Sequence, residues 1–290
     1  MIHQLNLSGK DKVEVAIGRL QMFEPTDRGG YHLAFSGGKD SCVIKALADM
    51  AGVNYTAHYS VTGIDPPELV RFIKEYHPDV VWDIPRDKDG NRITMWSLIA
   101  KKKTPPTRIA RYCCQELKES HGLGKITITG VRWAESANRK NNQGLATIYD
   151  KTAKRIIEQN AASDNYEVTK KGIVLRMDNT ESKQIVEMCY KTHKTTINPI
   201  IDWTDEDVWE FLHEYKVPYC KLYDEGYKRL GCVGCPMSSK AEAELNAYPR
   251  FRKLYLMAFD KMIQARKESG LEVKETWSTP EKVMEWWLQK

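Results

Sequence analysis

A chain of 290 residues, 41% of them hydrophobic, has the length for one large domain, or one domain with a smaller appendage, around an ample core. Its 44 Lys and Arg outnumber 39 Asp and Glu by five, too mild an excess to mark a nucleic-acid binder, although it suits an anionic partner. The run of roughly 18 apolar residues that a membrane span needs is missing, and Met1 to Val13 lacks the apolar centre of a secretory leader; the expectation is a cytoplasmic protein with no membrane partner. In such a reducing compartment the seven cysteines are expected as metal ligands or reactive thiols, not as a disulfide framework.

In chain order, the first strong element is an apolar strand from Tyr31 that runs through Phe35 into Ser36-Gly37-Gly38-Lys39-Asp40-Ser41, at the head of a helical segment from Cys42 to Met50. Gly37 and Gly38 reach backbone angles closed to other residues, so loop amides can approach an anion while the helix turns its positive end toward it. Lys39 adds a mobile cation, and Ser36 and Ser41 add hydroxyl donors. The combination reads as a pyrophosphate cradle. It is not a Walker A loop, which would need Gly in place of Leu33 and Ser or Thr in place of Asp40.

A β-rich stretch from Val53 to Ser60, a helix from Pro66 to Tyr76 and an apolar run from Val80 to Ile84 follow. A second set comprises helical Ile93 to Lys102, a helix through Cys113 to Ser120 and a strand from Lys125 to Gly130. This alternation predicts an α/β fold with a doubly wound, mostly parallel sheet. Beyond Arg139 the signal weakens into a polar segment with one hairpin, Tyr166 to Thr169 and Ile173 to Met177, turned by Lys170-Lys171-Gly172 and expected as an excursion from the sheet. The stretch from Arg139 to Thr196 holds 11 Lys or Arg against 7 Asp or Glu, an excess that either touches RNA or DNA or is a solvated surface. Order returns at Pro199-Ile200-Ile201-Asp202-Trp203, then a helix capped by Thr204 with Asp205, Glu206 and Asp207 at its positive end. The final part, Ala241 to Lys290, is helical, with Trp286 and Trp287 as packing residues.

The cysteines are not scattered evenly. Cys113-Cys114 lies on a helix, and Cys232-x-x-Cys235 lies in the glycine-rich turn from Gly231 to Pro236. Adjacent side chains on a helix diverge by about 100°, which a cube-shaped [4Fe-4S] cluster tolerates better than a single Zn²⁺. A structural zinc site and unligated buried cysteines are the alternatives. Cys42, Cys189 and Cys220 stand alone and read as core residues by default, with Cys220 the candidate for a sulfur-carrying nucleophile.

Residues 36 to 41 resemble the Ser-Gly-Gly-x-Asp-Ser signature of the PP-loop ATP pyrophosphatases. Further stretches narrow the resemblance to the phosphoadenosine phosphosulfate (PAPS) reductase branch and its iron-sulfur members. They are Thr62-Gly63 with Pro67-Glu68; Gly130-Val131-Arg132 with Glu135-Ser136 and Arg139; Pro199-Ile200 with Asp202-Trp203-Thr204; and Pro218-Tyr219 through Leu222-Tyr223 and Gly226-Tyr227 to Gly231-Cys232. The resemblance covers roughly residues 30 to 240. It implies an adenine nucleotide alpha hydrolase (HUP) type of sheet and a [4Fe-4S] cluster on Cys113, Cys114, Cys232 and Cys235. It also implies a nucleotide, ATP or a sulfonucleotide, held by Ser36, Gly37, Gly38, Lys39, Asp40, Ser41, Thr62, Gly63, Gly130, Arg132 and Arg139.

Two departures shape the expected reaction. Reductases of this branch attack with a cysteine near the carboxyl terminus, and this chain has none after Cys235. They also typically carry an altered loop, whereas residues 36 to 41 keep the full ATP-cleaving form. The expected chemistry is therefore adenylation, releasing pyrophosphate and later AMP, coupled to sulfur transfer, with Lys39, Asp40, Arg132 and Cys220 as catalytic candidates and Mg²⁺ beside Asp40. The alternatives are a sulfonucleotide reductase forming sulfite, and a nucleotide-binding redox or defence module without turnover. Expected partners are a tRNA or DNA acceptor, a sulfur or electron donor protein and a second copy of the chain. The expected organisation is a nucleotide-binding half over 1–135, an inserted basic segment over 136–198, a reductase-like half over 199–240 and a helical extension over 241–290.

Overall fold

The computed structural model describes every residue except 7–8, 27–28, 119–121, 161–165 and 290, so the expected ends of two helices, at Ser120 and Lys290, lie outside the described residues. The chain divides into two discontinuous units. The first comprises Met1–Tyr59, Arg71–Val81 and Gly122–Lys228; the second comprises Ser60–Val70, Trp82–His121 and Arg229–Lys290.

The amino-terminal helix α1 (Lys12–Met22) is opened by Asp11, whose carboxylate accepts from the Glu14 amide while Glu14 reaches back, a reciprocal cap with no strong sequence signature ahead of it. Strand β1 (Tyr31–Ala34) leads to α2 (Lys39–Ala51), closed by left-handed Gly52. Next come β2 (Tyr55–Ser60), α3 (Pro67–Tyr76), β3 (Val81–Asp83), α4 (Met95–Lys102), α5 (Tyr112–Leu117) and β4 (Ile126–Ile128). The elements from β1 to β4 are expected ones, displaced at their ends by a few residues, whereas α1 was not expected.

The region beyond Arg139 departs from expectation. Here α6 (Ala137–Asn142), β5 (Ala146–Tyr149), α7 (Ala153–Asn160), β6 (Glu167–Val168), β7 (Gly172–Leu175), α8 (Thr180–Cys189) and β8 (Thr195–Ile197) follow one another. The sheet order is β3-β2-β1-β4-β8-β5-β7-β6. The predicted hairpin forms as β6 and β7, but it is not an excursion: β5 pairs antiparallel with both β8 and β7, extending the same sheet. The cause is burial. Ala146, Ile148, Ile173, Val174, Leu175 and Ile197 are each at most 1% exposed, so these short strands seal apolar faces that would otherwise meet water.

β1 pairs in parallel with β2 on one side and β4 on the other, and β4 with β8. The connections from β1 therefore part at its carboxyl end, the crevice where open α/β sheets accept ligands. Helix α2 packs on α1 and on α9 (Asp205–Glu214), burying Val43, Ile44 and Leu47 with Ala16, Leu20, Val208 and Phe211. α9 starts where expected, with Thr204 and Asp207 capping one another.

His77 sits in this first unit, 4.6 Å ring to ring from Phe35 and 5.3 Å from Phe72, with Nε2 4.0 Å from the Cys42 sulfur. Burial pushes its imidazole down to about 4, the Lys45 ammonium also lowering it while Asp79 and Asp49 pull the other way. Between its ordinary 6.5 and about 4 the unfolded chain holds the extra proton, so stability is whole above pH 6.5 and falls as pH drops toward 4. The expected loss is at most about 3 kcal/mol. Urea unfolding at pH 7 and pH 4.5 checks it: His77→Gln should flatten the dependence, and an unchanged slope contradicts the assignment.

The second unit is built on α4, α10 (Ala241–Ala247), α11 (Pro249–Glu268) and α12 (Pro280–Leu288), with Met95, Ile99, Tyr255, Phe259, Met262 and Trp287 in its core. Trp287 is 3% exposed and donates its indole N–H to the Pro106 carbonyl at 2.6 Å, a packing role. Trp286 stacks edge-on against Trp277 at 5.0 Å.

Candidate functional site

The loop after β1 has the geometry its composition anticipates. Gly37 takes a positive φ of 74°, which lets the chain turn back on itself before Gly38 caps α2 with an extended backbone. Ser41 Oγ donates to the Gly38 carbonyl at 2.8 Å, and Ser36 Oγ lies 3.3 Å from Ser41 Oγ and 3.4 Å from the Gly38 amide. Gly130, just beyond β4, is demanded by close approach: a Cβ there would come within 3.0 Å of the Asp40 backbone and side chain. Gly130, an expected nucleotide-binding residue, thus packs on the first turn of α2.

Two residues that the sequence did not single out as site residues occupy the loop's donors. The Tyr223 hydroxyl accepts from the Lys39 amide at 2.9 Å. The Asp205 carboxylate pairs with Lys39 Nζ at 2.8 Å and with Arg132 Nη2 at 2.9 Å. Asp40 completes a ring of alternating charge, 3.3 Å from Lys39 Nζ and 2.6 Å from Arg132 Nε. Burial pushes the Asp205 carboxyl up, but the hydrogen bonds from Lys39 and Arg132 outweigh it and hold the group below the usual carboxylate range. Asp205 stood in the sequence as one of three acids in a helix's first turn; its pairing with a lysine 166 positions earlier has no local signal.

Arg132 and Arg139, the side chains expected to clamp phosphate, both have carboxylate partners. Arg132 is 2% exposed, and its guanidinium fork is committed to Asp40, Asp205 and the Trp203 carbonyl, so it positions the loop's acids. Arg139 pairs instead with Glu135, one helical turn away, at 3.3 Å. Cys220, the expected candidate nucleophile, is wholly buried. Because Asp205 competes for Lys39, Asp205→Asn should tighten ATP binding on the order of fivefold, from removal of one negative charge beside an incoming polyanion. Calorimetric titration checks it, and weaker binding would contradict the competition.

The second unit carries Thr62, Gly63 and all four grouped cysteines. Thr62 donates to Asp65 at 2.7 Å and accepts from the Ile64 amide, bracing the turn that contains Gly63. Cys113 and Cys114 lie in the first turn of α5. Cys232 and Cys235 lie in a turn held by the Cys235 amide on the Cys232 carbonyl at 3.2 Å and the Val233 amide on the Ile64 carbonyl at 2.8 Å. Gly234 bends this turn at φ 69° and donates to Glu244 at 3.0 Å.

The four thiols share one neighbourhood. Hydrogen bonding to Cys114 and burial raise Cys113, and charge on Cys114, Cys232 and Cys235 raises it further. Cys114 is held low by the Cys113 thiol, with Arg111 Nη2 at 3.5 Å and Lys118 assisting. Lys118 also faces Cys232. Among the described residues no three His, Cys, Asp or Glu side chains are gathered as one metal ion requires. A zinc ion with sulfur at about 2.3 Å demands such convergence, whereas a polynuclear cluster spans a wider set of thiolates. Four thiols from two segments are donors of the type that either group takes.

The basic excess of residues 139–196 is cancelled within its own unit, where 24 Lys and Arg face 24 Asp and Glu. The second unit has 20 against 15 and carries the whole net +5.

The family model for the phosphoadenosine phosphosulfate reductase domain matches residues 30–238, which include the loop and all four grouped cysteines. An uncharacterised protein of Methanocaldococcus jannaschii is 26% identical over 249 residues, 83% of this chain and 49% of that protein. The adenosine 5'-phosphosulfate reductase of Salinibacter ruber is 49% identical over 39 residues, 13% of this chain and 16% of that one. Among solved structures, phosphoadenylyl-sulfate reductase of Candida auris, a phosphate complex, aligns over 79% of this chain and 96% of that one, at 14% identity and a TM-score of 0.45. The chain spans half or less of the length of these curated relatives.

Proposed function

Because the chain belongs to the phosphoadenosine phosphosulfate reductase domain family, we propose that it is a PP-loop enzyme that adenylates an acceptor with ATP and passes sulfur to it. The observation that carries this is the intact loop: Ser36 and Ser41 hydroxyls, Gly37 at positive φ and Lys39 at the head of α2 together form a seat for the β and γ phosphates. An acceptor oxygen attacks the α phosphorus, its bond to the bridging oxygen breaks, and pyrophosphate leaves. A sulfur nucleophile then displaces AMP. In the first step Lys39 leaves Asp205 for phosphate oxygens, and the loop amides with Lys39 stabilise the charge that develops on the leaving pyrophosphate. Asp40, held by Arg132, keeps the loop in register and is the carboxylate that water on Mg²⁺ can reach.

A [4Fe-4S] cluster would be held by Cys113, Cys114, Cys232 and Cys235 and, when bound, supplies a sulfur-handling or electron-carrying centre. Arg111 and Lys118 favour the anionic form of Cys114, whereas burial pushes the Cys232 thiol up to about 12 and Lys118 offsets only part of that rise. A sulfur or electron donor protein completes the cycle.

A second reading, reduction of a sulfonucleotide to sulfite, draws on the likeness to adenosine 5'-phosphosulfate reductase over 39 residues. Anaerobically prepared full chain, incubated with ATP and short RNA or DNA acceptors, should form AMP and pyrophosphate. Sulfite release from adenylyl sulfate, without AMP from ATP, moves the assignment to the second reading; turnover of neither overturns both.

A further inference from the structure

The second unit contains a cavity of 510 Å³ on which Trp96, Tyr248, Phe251, Arg92 and Arg250 converge. Its size falls in the range of roughly 300–1,000 Å³ typical of small-ligand sites. One wall is the first turn of α11, which lies outside the stretch matched by the family model. The aromatic rings are held in place rather than free. Trp96 packs edge-on to Tyr255 at 5.0 Å, and the Tyr248 hydroxyl donates to Glu68 at 3.0 Å. Phe251 meets the Tyr248 ring at 6.2 Å. Arg92 and Arg250 are exposed, and among the described residues neither guanidinium has an ion-pair partner. The neighbouring Arg86 and Arg252, by contrast, donate to the Gly90 carbonyl and to Asn246.

We propose that this cavity binds one nucleotide of a single-stranded nucleic acid, its base against Trp96, Tyr248 and Phe251 and its phosphate on Arg92 and Arg250. Aromatic rings offer any base a stacking surface, and an unpaired guanidinium fork matches phosphate oxygens. Charge favours a polymer over a free nucleotide. The net +5 of the chain resides in this unit, α11 continues with Arg252 and Lys253, and the turn before Arg92 carries Arg86 and Lys88, cations in excess of what one phosphate needs. A duplex would not serve, because its bases are already stacked. As an acceptor site this rests on the adenylation reading; as a binding site it does not.

Anisotropy of a labelled single-stranded 12-mer, RNA and DNA in separate arms, titrated with the full chain at about 50 and 200 mM salt, tests it. Binding should weaken with salt. Arg92→Ala/Arg250→Ala should lower affinity at least tenfold and reduce the salt slope by about two, with circular dichroism confirming the fold. Phe251→Ala should lower affinity by about fivefold or more. Unchanged affinity in the double variant overturns the proposal, as does equal binding of duplex, or competition by AMP as effective as by unlabelled oligonucleotide, which makes the cavity a free-nucleotide site. Binding is read without ATP, so intact oligonucleotide binding with no AMP formation sinks the adenylation reading alone.

Discussion

Replacing Lys39 with alanine is expected to cut the formation of AMP and pyrophosphate by about 10²- to 10³-fold, the loss typical of removing one preorganised group that stabilises developing charge. The side chain is 6% exposed and shared between Asp205 and Asp40, so its removal does more than delete a cation. It leaves the two carboxylates facing the phosphate seat with Arg132 as their remaining partner in the ring. ATP affinity should therefore fall along with turnover. The coupling is separable: Lys39→Ala/Asp205→Asn should recover part of the affinity, since one repelling charge is gone, but none of the rate. Lys39→Arg should recover little, because a planar fork cannot follow the path of a compact ammonium. Product formation at saturating ATP, with calorimetric affinity measured in parallel, checks each arm; a Lys39→Ala chain with full turnover would place the chemistry elsewhere.

Replacing Cys235 with serine should reduce iron and acid-labile sulfide from about four per chain to near zero in anaerobic preparations. A serine hydroxyl is not ionised at neutral pH and is a poor ligand for iron, whereas a cysteine supplies a thiolate that iron binds strongly. Cys113→Ser should do the same from the other segment, since its thiol shares a neighbourhood with Cys114, Cys232 and Cys235. Cys189→Ser, in the buried face of α8 in the first unit, should retain iron. Full iron in either ligand variant, or a single zinc with no iron in the parent chain, defeats the cluster assignment.

Much of the fold was legible because its signals are local. The loop from Ser36 to Ser41, the cap at Thr204 and the hairpin turned at Lys170-Lys171-Gly172 each depend on residues within a few positions of one another. β5 and β8 were not legible. Ala146-Thr147-Ile148-Tyr149 and Thr195-Thr196-Ile197 are too short for periodicity to register, and what makes them strands is pairing with each other. The basic excess after Arg139 is a local count, and over the whole first unit Lys and Arg equal Asp and Glu in number.

At the site the division is sharper. The kinds of group present, a glycine-rich bend with its lysine and two pairs of thiols, follow from residue identity and spacing, which fix backbone freedom and donor chemistry before any folding. Which groups are spoken for was decided by tertiary structure alone. Arg132 is engaged by Asp40 and Asp205, Cys220 is sealed in a core, and Tyr223 sits on the Lys39 amide. Charges and donors acquire their partners from whatever the sheet and helices carry beside them, and at this loop those partners lie up to 184 positions away along the chain.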